Sequence, residues 1–391
     1  MGASRVADLL ISAPRVIPAA AGTGVLDPGY VAVTAGRISA VGAGPPPGRP
    51  DVELATGVLL PGFVDLQVNG YYGVEMSEAD PDGWALVGGR LPETGTTAFL
   101  PTFITAPLAE LAAELRCVAS IVAGMPRGAA RVLGVHVEGP FISAARRGAH
   151  NADWIVPAAP AAVGELLAAG AGVLRLVTLA PEAEGGLAAI ERLTGAGVVV
   201  SVGHSDATGE QVARAAAAGA RMVTHVFNGQ RPLGSYEPGV TGRALTDHRL
   251  TSGLIADLHH ACREACMIAF AAAPGRICLV TDASACAGMP AGQYLLGGEP
   301  IELPPGEGVP PRRPDGGLAG SALRMDRAVA NTVSVGVSLA VAVAAATRVP
   351  ADLIGRPDLG RLAPGAAADM AWLDDGLRTQ GTWIDGERVY P

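Results

Sequence analysis

From Pro61 onward the chain repeats one pattern: a short apolar run, an Ala/Leu-rich stretch with helical spacing, then the next run. Such alternation specifies βα units, because parallel strands need a crossover, usually helical, between them. The runs fall at 63–68, 97–104, 132–137, 173–179, 198–202, 222–226, 254–256 and 277–281, with the clearest helices at 162–169, 186–194, 209–218 and 263–272. Eight units in about 300 residues predict a TIM (β/α)8 barrel. Ahead of it lie β-branched pieces at 7–16, 30–41 and 52–60, and strand signals return at 370–373, 382–384 and 387–389. The two ends therefore predict a small, discontinuous β-sandwich domain, 1–60 with 359–391, flanking a barrel over 61–358.

Three stretches complete the plan. The Pro/Gly-rich segment 303–317 reads as a loop or hairpin, either a lid or a surface insertion. The most apolar window, 333–347, is shorter than the ~20 residues of a membrane span and reads as a buried helix. The beginning of the chain, around Arg5 and Asp8, lacks a small-residue cleavage site and reads as a first strand rather than a secretory signal.

Composition narrows the chemistry. Hydrophobic residues at 49% and charged residues at 17% exclude a disordered chain. All 28 basic residues are arginine. Without lysine there is no Schiff base, no phosphate-loop lysine and no carbamylated lysine bridging two metals. A net charge of −9 without an arginine run argues against nucleic acid. The five cysteines are sparse and unpaired by spacing, which suits reduced thiols in a cytoplasmic protein.

Active sites of such barrels lie at the carboxyl ends of the strands, so polar residues that close apolar runs are the first candidates. Strand three closes on His136-Val-Glu138, strand five on Gly203-His204-Ser-Asp206, strand six on Thr224-His225-Val-Phe-Asn228, and strand eight on Thr281-Asp282. One Glu and two His at one mouth make a catalytic metal set with an open position, and Asp282 is then free to move protons. A single strand-end histidine is more often a hydrogen-bonded structural residue, so the argument rests on joint placement. His136 alternates with Glu138 on one strand face and reads as a supporting partner of the ligands, while Asp206 has the simpler role of a helix N-cap. His248 sits in a polar turn and reads as solvated.

At these residues the chain resembles the N-acetylglucosamine-6-phosphate deacetylase family of the amidohydrolase superfamily. The matching segments are Pro61-Gly-Phe-Val-Asp-Leu-Gln-Val-Asn-Gly70, His136-Val-Glu-Gly-Pro-Phe-Ile142, Arg147-Gly-Ala-His150, Gly203-His-Ser-Asp-Ala207, Thr224-His-Val-Phe-Asn228, Thr281-Asp-Ala283 and Leu318-Ala-Gly-Ser321. The resemblance implies that Glu138, His204 and His225 hold a divalent metal, that Asp282 is general base and acid, and that His150 contacts the substrate carbonyl. It also implies a sugar pocket with Ala149, His150, Asn228, Gly229, Leu318, Ala319 and Gly320, and a homodimer whose partner subunit contributes to the site. Where many amidohydrolases carry His-x-His after the first strand, this chain has Gln67 and Asn69. Neutral amides favour one metal per subunit, zinc first, with iron, cobalt or manganese as the other candidates.

The resemblance breaks at the phosphate handle. The family's arginine, eleven residues after the second histidine ligand, is replaced by Tyr236, whereas the family's histidine near strand seven is kept as His260, beside Leu258. Both positions are expected to reach across a dimer interface. A phenol cannot match the bidentate grip of a guanidinium, which leaves Arg231 or Arg243 as substitutes from nearby loops. The expected activity is deacetylation of an N-acetyl amino sugar, by default N-acetylglucosamine 6-phosphate. Alternatives are an unphosphorylated or conjugated N-acetyl hexosamine, another amide or cyclic-imide hydrolysis, or a non-catalytic sugar-binding barrel.

Overall fold

A computed structural model describes residues 7–20 and 22–391; Arg5 lies outside them. The eight barrel strands, β1 (Phe63–Val68), β2 (Thr96–Ile104), β3 (Val135–Glu138), β4 (Leu174–Leu179), β5 (Val199–Val202), β6 (Met222–Val223), β7 (Thr251–Leu254) and β8 (Ile277–Leu279), pair in parallel, each with the next. The ring closes beyond the last strand, where Val68 bridges Ala283 and the Asp282 N–H donates to the Gln67 carbonyl at 2.9 Å. Closure thus depends on the segments that carry Gln67, Asn69 and Asp282. The strands read as continuous apolar runs because both faces are covered, side chains filling the barrel and helices packing outside.

Local chemistry sets the helices. Pro160 occupies the first position of Pro160–Ala169, where its missing N–H costs nothing. Gly209–Ala218 opens on a capping box, with the Thr208 hydroxyl accepting from the Gln211 N–H and the Gln211 side chain accepting from the Thr208 N–H. Thr208 is therefore the N-cap, and Asp206 is not. The window 333–347 is not one buried helix either: Met325–Ser334 and Leu339–Ala346 are separated at Gly336, whose φ of +97° no other residue type adopts easily, and Val341 is 44% exposed.

The ends of the chain build two four-stranded sheets. The first pairs Leu9–Ala13 with Gly29–Thr34 and Val52–Glu53, and Gly29–Thr34 with Arg37–Ala43. In the second, the N-terminal strand Val58–Pro61 runs antiparallel to the C-terminal Met370–Leu373, which continues through Thr379–Ile384 to Glu387–Tyr390. Ile11, Val31, Ile38, Leu59, Met370 and Trp383 fill the space between them, a small β-sandwich made from both termini. Two of the β-branched pieces are divided. Residues 30–41 form a hairpin through Ala35 and Gly36, both at positive φ, and 52–60 passes from one sheet to the other at Gly57, where a Cβ would meet the Leu373 carbonyl oxygen at 2.0 Å. Residues 292–303 form the hairpin Gly292–Leu296 with Glu299–Leu303, and 304–317 is mainly loop.

Arg131 ties sandwich to barrel. Beside β2, its guanidinium grips buried Asp369 at 3.0 and 3.1 Å and reaches Asp385 at 2.5 Å. Arg131→Ala leaves the Asp369 carboxylate buried without its charged partner, an expected loss of about 1.5–3 kcal/mol. Thermal unfolding should show the lowered Tm while turnover at 25 °C stays at the wild-type level. An unchanged Tm would remove this pair from the interface energetics.

Candidate metal-dependent active site

Three of the four strand-end candidates sit on strained backbone: His204, His225 and Asp282 have φ of +45°, +26° and +51°. Non-glycine residues avoid this region, and where packing enforces it the site is usually functional. Here the chain turns off the strand ends so that all three side chains point into the barrel mouth.

Glu138, His204 and His225 each offer a ligand atom within 4.8 Å of the others, all buried. His204 Nδ1 donates to the Arg146 carbonyl at 2.9 Å and His225 Nδ1 to the Asn228 carbonyl at 3.1 Å. With the ring protons committed there, both Nε2 lone pairs face inward, 3.2 Å apart, and Glu138 Oε1 lies 3.3 and 3.1 Å from them. Three electron-pair donors converge without a proton between them unless one ring takes a second. Burial opposes a charge on His225, but the hydrogen bond to Glu138 and that carboxylate's charge raise its pKa to about 9. The group therefore demands a positive charge, and a divalent cation satisfies all three donors at once; the residues fit a metal.

The neighbouring amides are accounted for. Gln67 Nε2 donates to both Glu138 oxygens at 3.1 and 3.2 Å and to Asp282 Oδ1 at 2.9 Å, and Asn69 Nδ2 donates to the same Oδ1 at 2.7 Å. Where imidazoles would bind a second metal, these amides orient carboxylates. Asp282 Oδ2 has no hydrogen-bond partner among the described residues. Burial first, then the Glu138 charge, pushes the Asp282 pKa up to about 6.

His150 is buried, its ring 4.3 Å from that of His204. Its Nδ1 takes the Thr105 N–H at 3.3 Å and faces the Thr105 hydroxyl at 2.7 Å, which leaves the ring proton on Nε2. Burial, then the His204 ring, holds its pKa well below the usual imidazole value, so it is a neutral donor. A cavity of about 300 Å³ opens here, lined by Asn69, Glu138, Gly148, Ala149, His150, His204, His225, Asn228, Gly229, His260, Asp282, Leu318, Ala319 and Gly320, with Ile104, Ile255 and Leu296 as apolar walls. That volume suits a monosaccharide.

The expected support of the ligands by His136 is corrected: it bonds none of the three ligand candidates, its ring nitrogens meeting Thr102 and Thr178 at 3.3 and 2.8 Å in a buried hydroxyl layer with Thr224 and Ser201. Tyr236 does not line the cavity of its own chain and stands fully exposed at 101%. His260 lines that cavity, its Nδ1 held by Asp257 Oδ2 at 2.6 Å. Neither candidate arginine turns inward, since Arg231 pairs with Asp206 at 2.6 Å and Arg243 bonds the Gly209 carbonyl at 3.1 Å.

Asp65, which the strand-end pattern does not mark, also supports the site. It is buried in β1, takes the Thr281 hydroxyl at 2.6 Å, and so pins the segment bearing Asp282 to the first strand. A carboxylate inside an apolar strand was the readable signal. Thr105 and the Arg146 carbonyl gave none, because a threonine or a main-chain oxygen is unremarkable in any sequence.

Two imidazoles and a carboxylate at a (β/α)8 mouth, with a second carboxylate beside them, define a hydrolase of the amidohydrolase class, and residues 313–389 match the amidohydrolase family model. The chain is 39% identical over 339 residues to the N-acetylgalactosamine-6-phosphate deacetylase of Escherichia coli O157:H7 (86% of this chain, 88% of the relative), and 38% over 347 residues to the N-acetylglucosamine-6-phosphate deacetylase of Bos taurus (85% and 83%). It belongs to the N-acetylglucosamine-6-phosphate deacetylase family. Among solved structures, a variant of the Mycobacterium smegmatis N-acetyl-D-glucosamine-6-phosphate deacetylase in complex with N-acetyl-D-glucosamine-6-phosphate superposes with a TM-score of 0.92 at 34% identity, covering 98% of this chain and 99% of that one.

Proposed function

We propose that this chain hydrolyses the acetamide of an N-acetylated hexosamine 6-phosphate, by default N-acetylglucosamine 6-phosphate, releasing acetate and the free amine. The observation that carries the reading is the convergence of Glu138, His204 and His225 beside Asp282, in a cavity of monosaccharide size. The names of the relatives supply the substrate class. One divalent cation per chain, zinc in the first instance, would be held by those three side chains. When bound, it supplies Lewis acidity toward a water and toward the amide carbonyl.

The remaining work falls to protein groups. Asp282 Oδ2, the unengaged oxygen, takes the proton of the attacking water, while Gln67 and Asn69 hold Oδ1 and so fix the carboxylate plane. A pKa near 6 places this group where it can both accept a proton and return it to the departing amine nitrogen. His150 donates from Nε2 to the acetamide oxygen as charge builds there, and its suppressed basicity keeps it from consuming that charge by protonation. Ile104, Ile255 and Leu296 keep bulk water from the reacting carbon.

A second reading, an unphosphorylated or conjugated N-acetyl hexosamine, is favoured by one observation: among the described residues no arginine lines the cavity. In a homodimer, which we also propose, exposed Tyr236 would face the partner and stack on a sugar rather than grip a phosphate. A cytoplasmic setting is in keeping with the five free cysteines. Acetate release from N-acetylglucosamine 6-phosphate and N-acetylglucosamine, compared on metal-loaded protein, decides between the two. A preference of about a hundredfold or more in kcat/KM for the phosphorylated sugar, the size of two charge-assisted hydrogen bonds, upholds the first reading. Equal or better turnover of the free sugar moves the assignment to the second. Release from neither overturns both.

A further inference from the structure

We propose that Asp206 is a positioning residue for the cation site, acting through Arg146 on the orientation of His204. The inference rests on the reading of Glu138, His204 and His225 as that site. His204 has one orienting partner, the Arg146 carbonyl 2.9 Å from Nδ1. That carbonyl belongs to a short turn, Ala144–Arg146, with few other anchors: the Arg146 N–H donates to the Ser143 carbonyl, and the Ser143 N–H donates to the His204 carbonyl at 2.8 Å. What fixes its far end is the Arg146 side chain, whose Nε donates to Asp206 Oδ1 at 2.8 Å. Asp206 follows His204 by two residues, so the contacts close a ring: from the imidazole to the Arg146 carbonyl, through the Arg146 side chain to Asp206, and back along the chain to His204.

Asp206 is itself well held. Its N–H and the neighbouring Ser205 hydroxyl both donate to Glu182, and its Oδ2 takes Arg231 Nη2 at 2.6 Å. The ring matters because His204 sits at φ +45°, a strained backbone that only its contacts enforce, and because the glycine at 229 leaves open beside Nδ1 the space that a Cβ, 3.0 Å away, would fill. Loss of the Arg146 anchor lets the carbonyl drift, and the imidazole is then free to turn its lone pair from the common point. Since Asp206, Arg146 and Arg231 are each about a third exposed, their pairs contribute little to folding. The carboxylate's effect is on geometry at the site.

The test is zinc affinity, measured by competition with a chromogenic chelator on full-length wild type, Asp206→Ala, Arg146→Ala, the double variant and Arg231→Ala. Removing the direct partner of a ligand weakens metal binding by about 10–100-fold; Asp206→Ala and Arg146→Ala keep the residue 146 carbonyl and only loosen it, so a loss at the lower end of that range, about tenfold, is expected for both alike. Because both act through one carbonyl, the double variant should bind no more weakly than the weaker single one. Arg231→Ala removes the other guanidinium from Asp206, Nη2 from Oδ2 and Nε from its main-chain carbonyl, but leaves the Arg146 pair and the Glu182 hold on the Asp206 N–H. It should lose clearly less affinity than Asp206→Ala or Arg146→Ala, about threefold at most. Asp206→Asn, which keeps an acceptor for Arg146, should fall between, with circular dichroism confirming the fold. Wild-type affinity in Asp206→Ala, additive losses in the double variant, or an equal loss in Arg231→Ala would each overturn the proposal. Folded wild-type protein that takes up no zinc would overturn the cation-site reading instead, and the two failures are told apart by that measurement alone.

Discussion

Asp282→Asn is expected to lower kcat by about 10²–10⁴-fold, the usual weight of positioned acid–base catalysis, without changing KM or the metal content. The substitution is close to isosteric, and its amide oxygen can still accept from Asn69 and Gln67, whose nitrogens lie 2.7 and 2.9 Å from Oδ1. What disappears is the basic Oδ2, replaced by an NH2 that neither accepts the proton of water nor delivers one to the amine. Asp282 stands outside the group of three that converge on the cation position. Steady-state kinetics with metal analysis on the same preparation reads both quantities. A variant that keeps more than a tenth of wild-type turnover would remove Asp282 from proton transfer; one that loses metal together with activity would make it a ligand.

The barrel was legible because its signal is redundant. Eight apolar runs separated by helical periods leave few other folds, and an error of two or three residues at the strand ends changes nothing, as β7 at Thr251–Leu254 against an expected 254–256 shows. The strand-end rule then led to Glu138, His204, His225 and Asp282, since the chemistry of a barrel mouth depends on which polar residue closes each run. The failures share a cause. Asp206 as an N-cap was a reasonable local inference, but Thr208 lay two residues on with Gln211 to complete a capping box, and the carboxylate was taken by arginines 25 and 60 residues away. His136, expected against the ligands, is satisfied instead by threonines two strands apart, partners that the local sequence does not announce. Hydrogen bonds that close over long separations carry no periodicity, so sequence patterns report which side chains reach the mouth better than what holds them there.

Glu138→Gln is the sharper test of the cation site, because the hydrogen-bond inventory decides how the new amide turns. Gln67 Nε2 lies 3.1 and 3.2 Å from the two oxygen positions and can donate to a carbonyl at either. The histidine Nε2 lone pairs beside Oε1 therefore decide: the NH2 takes the Oε1 place and the carbonyl oxygen the Oε2 place, still accepting from Gln67. There the NH2 donates to the Nε2 lone pairs that otherwise converge 3.2 Å apart. A proton donor thus occupies the place of the missing negative charge, and the cation loses a ligand while meeting the positive end of an amide dipole. Breaking a buried charge pair costs about 3–5 kcal/mol, which predicts metal binding weaker by at least ~10²-fold and turnover that falls in parallel. Metal retained after gel filtration should drop from about one ion per chain to a small fraction. The rise in Tm that added metal gives wild type, which reflects about 2.7 kcal/mol at a hundred times Kd, should vanish at the same metal concentration. Coupled loss of metal, turnover and metal-dependent Tm identifies Glu138 as a ligand; full metal retention with normal turnover would exclude it and leave His204 and His225 as an ordinary buried imidazole pair.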